Sequence, residues 1–284
     1  MKYGIISDIH SNIQALTSAL NELDPQVDKI VCLGDVVGYN ANPKECIDVV
    51  RNNPKISCIV QGNHDEDTSF FEPEKYGIYS DVSHDAFAGI KYNASILSNE
   101  EKEWLKSLPD KYLVKDEDLP FWICHYSPDY CTEWGYIMSV YDASCSFRTL
   151  KKWDDGHIFL FGHSHVPTLI EQDGEGIINY NSVDLSIEKT YKLSPSFNYL
   201  INPGSIGQPR YTGLTSYAIL NTEEKTVKFN SFEYNVEEAQ KVIREAGYSM
   251  SIANRLDPHR DEKLKQAKKQ RCKNNQKHID AEKK

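Results

Sequence analysis

The sequence predicts an α/β fold in which two mixed β-sheets pack face to face as a sandwich, with flanking helices in an αββα arrangement. Two observations lead to this prediction. Buried-strand patterns alternate with amphipathic helix patterns through the first 110 residues, which is typical of βα units with parallel strands. Short alternating strands separated by turn signals follow in the second half, and we expect them to form hairpins of a second sheet.

The elements of the first half are defined by apolar periodicity and by capping residues. Pro43 suits the first turn of a helix, and Ser98 with Glu101 forms a capping box. The strands predicted here are the apolar run around 5–6, then 29–33 and 56–60, and the helices are 13–23, 43–51, 81–93 and a short one from 98 that ends at Pro109.

The second half begins with two buried strands, 120–124 and 157–161, separated by an aromatic-rich region. That region, 126–156, has weak periodicity, and we interpret it as a lid or pocket-wall insertion. Turn signals at 173–174 and 221–222 predict hairpins over 169–178 and 217–229. An amphipathic helix capped by Asn235 closes the fold.

Composition indicates a globular protein that is not embedded in a membrane. The chain has 284 residues, of which 39% are hydrophobic, so residues 1–250 can bury the core of one large domain. There is no run of 18 apolar residues and no secretory signal pattern, which predicts a cytoplasmic location. The seven cysteines are scattered without a C-x-x-C pair, which argues against a disulfide scaffold or a zinc ribbon.

The C-terminal segment 251–284 differs from the body in charge. Residues 255–284 carry eleven Lys and Arg against five Asp and Glu, so the remainder of the chain has a net charge of about −16. The body should therefore repel nucleic acid, and only the basic helix or tail offers a surface for an acidic partner. A solvated helix or frayed end is the simpler interpretation of such a polar stretch.

Metal-binding residue types follow the strong strands at the points where those strands end. Because ligands bind at the carboxyl ends of strands in an open α/β sheet, we expect these side chains to converge. Gly34, Gly62 and Gly162 precede three of the groups and allow close backbone approach. Carboxylate, imidazole and amide ligands suit Mn, Fe, Zn or Co ions. The residues are Asp8 and His10, Asp35, Asn63 and His64, His125, and His163 and His165.

The same residues form an ordered series of short motifs, D-x-H, G-D, G-N-H-D, H and G-H-x-H, between residues 8 and 165. In this the sequence resembles the calcineurin-like metallophosphoesterase family, which has these five blocks in this order. Segments 38–43 and 202–210 are similar to signatures of a bacterial and archaeal branch of small phosphodiesterases. The resemblance implies the metallophosphoesterase fold for residues 3 to about 233.

The family pattern also implies roles for these residues. One metal ion would be bound by Asp8, His10, Asp35 and His165, and the other by Asp35, Asn63, His125 and His163, so that Asp35 bridges the two. Mn or Fe is favoured. A bridging hydroxide would attack the phosphorus in line.

His64 would face the substrate, where it protonates the leaving oxygen or stabilises charge on the phosphoryl group, with Asp65 orienting and charging it. Arg210 either reaches the site or braces it. Asn12 and Asn40 are weaker substrate-binding candidates, and a helix cap is an equally simple role for Asn12.

The predicted function is hydrolysis of a phosphodiester or nucleotide pyrophosphate, with diadenosine tetraphosphate as the candidate substrate. Tyr126, Tyr130, Trp134, Tyr136 and Tyr141 are available to stack a nucleobase, although such aromatics more often serve packing. One alternative is a serine/threonine protein phosphatase, and another is a non-catalytic scaffold that binds protein partners. The presence of His64 argues against the scaffold.

Overall fold

A computed structural model of the chain describes residues 1–72, 83–210 and 214–258. Its strands are β1 Lys2–Ile6, β2 Lys29–Cys32, β3 Ile56–Ile59, β4 Lys111–Val114, β5 Phe121–Cys124, β6 Ile158–Leu160, β7 Thr168–Gln172, β8 Ile178–Ser182, β9 Thr190–Lys192, β10 Asn198–Asn202, β11 Thr215–Asn221 and β12 Thr226–Phe232. Its helices are α1 Ile13–Leu23, α2 Pro43–Asn52, α3 Asn63–Ser69, α4 His84–Ile96, α5 Asn99–Lys106, α6 Val140–Leu150, α7 Val236–Glu245 and α8 Met250–Arg255.

The strands form two six-stranded mixed sheets. The first has the order β3-β2-β1-β11-β12-β9 and the second the order β4-β5-β6-β10-β7-β8. Strands β1, β2 and β3 pair in parallel, as do β5, β6 and β10, while the other strand pairs among the described residues are antiparallel. The predicted sandwich of two mixed sheets is confirmed.

Alternation along the strands fixes the layers, since successive side chains of a strand point to opposite faces. Ile5 of β1 packs in the core between the sheets with Ile123 and Ile201, whereas its neighbour Ile6 packs outward with Leu16 of α1. On the far face, strands β6 and β10 pack against α6 in a third core. Helices therefore cover both outer faces, which gives the αββα arrangement.

Two helices begin at the capping residues that the sequence predicts. Ser98 Oγ accepts from the Glu101 amide at 3.3 Å, and the Glu101 carboxylate accepts from the Ser98 amide at 2.7 Å, so the predicted capping box is formed. Asn235 caps α7 by accepting from the Glu238 amide at 3.0 Å. Helix α4 begins after its cap Ser83; the predicted start at 81 lies outside the described residues.

One predicted sheet assignment is wrong. The β11–β12 hairpin belongs to the first sheet, where β11 pairs with β1, and not to the second. Alternation reveals that a segment is a strand but carries no information about which neighbour it pairs with. Strands β4 and β10 and helix α6 were also not predicted, because short or aromatic-rich segments show weak periodicity. Among the described residues, no helix combines the length and apolarity needed to span a bilayer.

Candidate metal centre

The predicted metal-binding residues lie on turns that follow β1, β2, β5 and β6, apart from Asn63, which begins α3 after β3. Backbone hydrogen bonds join these turns. The amide of Asp8 donates to Gly34 O at 3.1 Å, and the amide of His10 donates to Asp35 O at 2.9 Å. Within the second sheet, the Gly162 amide donates to His125 O at 3.0 Å, and between the two sheets the Gly207 amide donates to Asp8 O at 3.0 Å. The carboxyl ends of the central parallel strands thus form one edge, as expected for α/β sheets.

Five of these side chains project from backbone in the left-handed region, which non-glycine residues rarely adopt. Each such residue costs on the order of 1 kcal/mol or more, and this conformation persists only where the surrounding structure fixes it. Strain of this kind clusters at functional sites. The φ angles are 54° at Asp8, 49° at His10, 53° at Asp35, 65° at His163 and 58° at His165.

The side chains form two groups that share one carboxylate. Asp8, His10, Asp35 and His165 place one ligand atom each within 4.8 Å of one another, and all four are buried. Asp35, His125 and His163 form the second group by the same measure. Each group matches one predicted ligand set, apart from the amide of Asn63, and Asp35 is the member common to both.

The closest contact in the first group joins two imidazole nitrogens, His10 Nε2 and His165 Nε2, at 3.1 Å. In each ring Nδ1 must carry the proton, because it donates to a carbonyl, Val37 O at 3.1 Å and Gln208 O at 2.5 Å respectively. Burial lowers the pKa of both rings, so both are neutral. Two lone pairs therefore face each other, and with Asp8 Oδ1 3.2 Å from His165 Nε2 the cluster needs a cation.

In the second group, too, a hydrogen bond from one ring nitrogen to a backbone carbonyl orients the imidazole. His125 Nδ1 donates to Leu33 O at 2.7 Å, which directs Nε2 toward Asp35 Oδ2 at 3.2 Å. Burial opposes the charged form of His125, but the Asp35 carboxylate raises its pKa to about 9, and a cation bound at Nε2 would take the place of that proton. In His163 the two ring nitrogens exchange these roles. Its Nε2 donates to Trp134 O at 3.0 Å, which leaves Nδ1 as the atom available to bind a metal ion.

Three buried polar atoms of the predicted ligands lack a well-formed hydrogen bond: Asn63 Oδ1, and also Asp35 Oδ2 and His125 Nε2, which face each other as an ion pair at 3.2 Å. Leaving a buried acceptor unsatisfied costs about 1–3 kcal/mol, so atoms of this kind call for a missing partner. All are lone-pair donors of carboxylate, amide or imidazole type. The donor set therefore fits divalent or trivalent transition-metal ions, with Asp35 Oδ1 held separately by the His64 amide at 2.8 Å.

Two of the predicted glycines let backbone come close to these ligands. A Cβ built on Gly62 would overlap the Asp35 carboxylate, and one built on Gly162 would overlap Ser7 Oγ and lie 2.9 Å from Asp8 Oδ2. Gly162 also precedes the His163 amide, which donates to both oxygens of Asp8 at 3.2 Å. These positions require glycine because of space.

His64 lies beside the first group. Its ring centroid is 4.8 Å from that of His10 and 4.6 Å from that of Tyr39. The ring is buried, its Nδ1 makes no hydrogen bond, and burial lowers its pKa to about 4. A Cβ on Gly38 would come within 2.6 Å of Nδ1, so the segment around Gly38 packs directly on this histidine.

The expected pairing of Asp65 with His64 is not formed. Asp65 Oδ1 accepts from the Val37 amide and Oδ2 from the Gly62 amide, both at 3.0 Å. Asp65 is the third residue of α3, where an acidic side chain reaches back to the helix start. Both oxygens of the carboxylate are therefore occupied, one by an amide at the start of α3 and the other by an amide in the turn after β2.

Asn12 and Asn40 are also occupied by backbone groups. Asn12 Oδ1 caps α1 by accepting from the Ala15 amide at 3.1 Å, and its Nδ2 donates to Gly207 O at 3.1 Å. Asn40 Nδ2 donates to His10 O at 2.7 Å and to Gly207 O at 3.3 Å. Both side chains are buried and brace these turns, while Asn40 Oδ1 makes no hydrogen bond. The expected substrate contacts stay predictions.

Arg210 brings a positive charge to the site. Burial opposes its charged form, but Tyr39, Tyr136 and Asp8 raise its pKa, which shows that these groups lie within its electrostatic reach. Its charge in turn contributes to the lowered pKa of His165, after the larger effect of burial. Of the two roles left open by the sequence, the electrostatics favour a residue that reaches the site.

Two tyrosines pack on the predicted ligands, a role that the sequence did not indicate: Tyr39 was not among the candidates, and Tyr136 was named only as available to stack a nucleobase. Tyr39, with φ of 47°, makes an edge contact with His10 at a centroid separation of 4.8 Å. Tyr136 stacks on His163 with centroids 4.0 Å apart. The available signals were the position of Tyr39 inside a family-like segment and the high aromatic content of 126–156, but neither identifies a particular ring.

The comparisons with known proteins agree with this geometry. A family model described as the calcineurin-like phosphoesterase superfamily domain matches residues 1–225. An uncharacterised protein of Methanocaldococcus jannaschii is 31% identical over 272 residues, which cover 92% of this chain and 96% of that protein. A metallophosphoesterase from Sphaerobacter thermophilus is 31% identical with a TM-score of 0.73, covering 90% of this chain and 98% of its own. A hypothetical protein from Pyrococcus horikoshii shares the fold with a TM-score of 0.71 at 20% identity, covering 90% of this chain and 97% of its own.

Proposed function

Since the chain belongs to the calcineurin-like phosphoesterase superfamily, we propose that it is a phosphodiesterase or nucleotide pyrophosphohydrolase that depends on two metal ions. The observation that carries the proposal is the contact of two proton-free imidazole nitrogens, His10 Nε2 and His165 Nε2, at 3.1 Å. Two buried imidazole lone pairs beside two carboxylates form a donor set of the kind that binds transition-metal ions. Mn or Fe ions are the favoured occupants.

The ligand roles follow from the two groups of side chains. Asp8, His10, Asp35 and His165 bind one ion, and Asp35, Asn63, His125 and His163 bind the other. When bound, such ions act as Lewis acids on phosphoryl oxygens and lower the pKa of water.

His64 and Arg210 act on the substrate in this proposal. Because burial keeps the His64 ring neutral at pH 7, its N–H stabilises developing negative charge on the phosphoryl group by a hydrogen bond. The charge of Arg210 attracts the phosphate into the cleft. Asp65 supports His64 and Arg210 indirectly, since its carboxylate fixes the turn at Val37 and the start of α3.

The decisive experiment is Mn²⁺-dependent hydrolysis of bis(p-nitrophenyl) phosphate compared with its monoester and with a phosphopeptide. Wild-type protein is expected to prefer the diester. His64→Ala is expected to lower kcat about 100- to 1,000-fold while metal content measured by elemental analysis stays the same. Preference for the monoester or phosphopeptide would favour a phosphatase instead. Complete inactivity with full metal occupancy, unchanged by His64→Ala, would favour the non-catalytic scaffold.

Within the nucleotide class, diadenosine tetraphosphate is the proposed substrate, and Trp134 is the proposed base-stacking residue. Its carbonyl is fixed to His163 Nε2 at 3.0 Å, while 67% of its surface is exposed. Stacking on an aromatic side chain contributes about 1–3 kcal/mol per base.

Trp134→Ala is therefore expected to raise KM for diadenosine tetraphosphate about tenfold or more, with little effect on a phosphodiester that has small alkyl groups. Tyr112→Ala serves as the control, because Tyr112 is an exposed aromatic on edge strand β4. Equal KM values for both variants would refute the stacking role.

A further inference from the structure

Helix α4 contains a polar residue on its buried face. Its buried positions Ala86, Gly89, Ile90, Asn93 and Ala94 follow helical spacing, and Asn93 has no exposed surface. The amide group is fully used: Oδ1 accepts from Ser11 Oγ at 2.5 Å and from the Gly38 amide at 2.9 Å, and Nδ2 donates to Asn40 O at 2.9 Å. A buried polar group satisfied to this degree specifies one arrangement of its partners.

Those partners belong to the turns that carry the active-site histidines. Ser11 follows His10 directly, and segment 37–40 contacts both His10 and His64. Val37 O accepts from His10 Nδ1 at 3.1 Å, and the Tyr39 ring packs on both imidazoles. Asn93 therefore holds segment 37–40 through the Gly38 amide and Asn40 O.

A second hydroxyl reaches the same point from the C-terminal part of the chain. Asn93 Nδ2 donates to Tyr248 Oη at 3.3 Å, and Tyr248 Oη donates to Asn40 O at 3.3 Å. Tyr248 lies in the connection between α7 and α8, beyond residue 225, where the match to the family model ends.

The α7–α8 pair is itself anchored to the body close to this contact. Arg255 pairs with Asp85 at the start of α4 at 3.0 Å, and Ser251 Oγ donates to the same carboxylate at 2.8 Å. Apolar residues of both helices form a small core that includes Ala88 of α4. Tyr248 is thus held rigidly against Asn93 and Asn40.

We propose that Asn93 and Tyr248 are positioning residues of the active site, and that the α7–α8 pair acts through them to hold segment 37–40 against His10 and His64. The inference rests on the function proposed above, because it concerns the same site. Neither residue touches substrate or metal. Their effect is expected in the placement of His64, which changes kcat, and in the placement of His10, which changes metal affinity.

Tyr248→Phe is the primary test, because it removes one oxygen atom and preserves the ring. We expect kcat for bis(p-nitrophenyl) phosphate to fall about tenfold with KM within about twofold, and the Kd for Mn²⁺ to rise about threefold. Tyr92→Phe is the matched control, since the Tyr92 ring packs on Tyr248 with centroids 5.0 Å apart. Asn93→Ala combined with Tyr248→Phe should be less than additive, because both changes act on one network.

Three outcomes would overturn the inference. One is that Tyr248→Phe matches Tyr92→Phe in both kcat and Mn²⁺ affinity. Another is that only the melting temperature falls, and the last is that the double variant is strictly additive. The Mn²⁺ titration also separates this inference from the proposed function: a wild-type protein that binds Mn²⁺ but hydrolyses no phosphoester would refute the function and leave the positioning effect measurable.

Discussion

Replacement of Gly162 by alanine tests the reasoning about the metal centre most directly. Gly162 joins β6 to His163, and its Cβ position is blocked by Ser7 Oγ, by Asp8 Oδ2 at 2.9 Å and by His125 Nδ1 at 3.2 Å. Its φ lies outside the left-handed range, so alanine introduces no backbone strain. The substitution therefore reports only on space at the ligands.

The size of the effect follows from which neighbours can give way. Ser7 Oγ makes no hydrogen bond, so its side chain can rotate away at small cost. Asp8 cannot, because both of its oxygens accept from the His163 amide at 3.2 Å. Overpacking of this kind costs about 1–3 kcal/mol of stability, and a ligand displacement approaching 1 Å costs about 100-fold in rate.

The assay is diester hydrolysis with a parallel Mn²⁺ titration and thermal melt. Gly162→Ala should lower kcat/KM about 100-fold and weaken Mn²⁺ binding. Gly174→Ala is the control, since a Cβ there meets no atom within 4 Å. If Gly162→Ala kept activity and Mn²⁺ affinity within about twofold of Gly174→Ala, close packing around Asp8 would not be what requires glycine at this position.

The remaining predictions concern metal removal and the bracing side chains. Stripping metal with a chelator should lower the melting temperature, because the buried lone pairs lose their cations, and Mn²⁺ should restore it as mass action requires; an unchanged melt would contradict the site. Asn12→Ala should cost about 1–2 kcal/mol in urea unfolding, since it leaves the Ala15 amide without its cap and removes one of the two donors to Gly207 O, while Asn42→Ala, at a helix start without a side-chain cap bond, should cost under about 0.5 kcal/mol. Asp65→Ala should also destabilise the protein by about 1–3 kcal/mol, because two buried amides lose their acceptor, and a neutral result in the same unfolding assay would refute its bracing role.

The side chains that meet at the candidate metal centre could be predicted from sequence because each follows a strand whose apolar pattern is strong. Strand ends in a parallel sheet share one edge, so residues as distant as Asp8 and His163 were expected together, and the structure places the His163 amide 3.2 Å from the Asp8 carboxylate. Motif order then implied that Asp35 is shared, and it is the member common to both groups.

The roles of residues within a motif were harder to predict from sequence, because a role depends on which atom the side chain directs into the site. Asp65 is adjacent to His64 in sequence, yet its carboxylate turns to the amides of Val37 and Gly62. His163 presents Nδ1 only because Trp134 O, from a segment without clear periodicity, accepts from Nε2. These orientations are set by hydrogen bonds between segments that are distant in sequence, and the sequence does not show which segments will meet.

Strand periodicity, glycine spacing and motif order were therefore enough to predict the αββα class, the sheet edge at which the candidate site lies and the residue types that line it. These are properties of short segments, and they can be recognised without the fold. The folded structure was needed to show that β11 pairs with β1, that Asn12 and Asn40 brace the turns, and that Tyr248 reaches Asn93. These are long-range contacts, which exist only once the chain has folded and brought distant segments within hydrogen-bond distance.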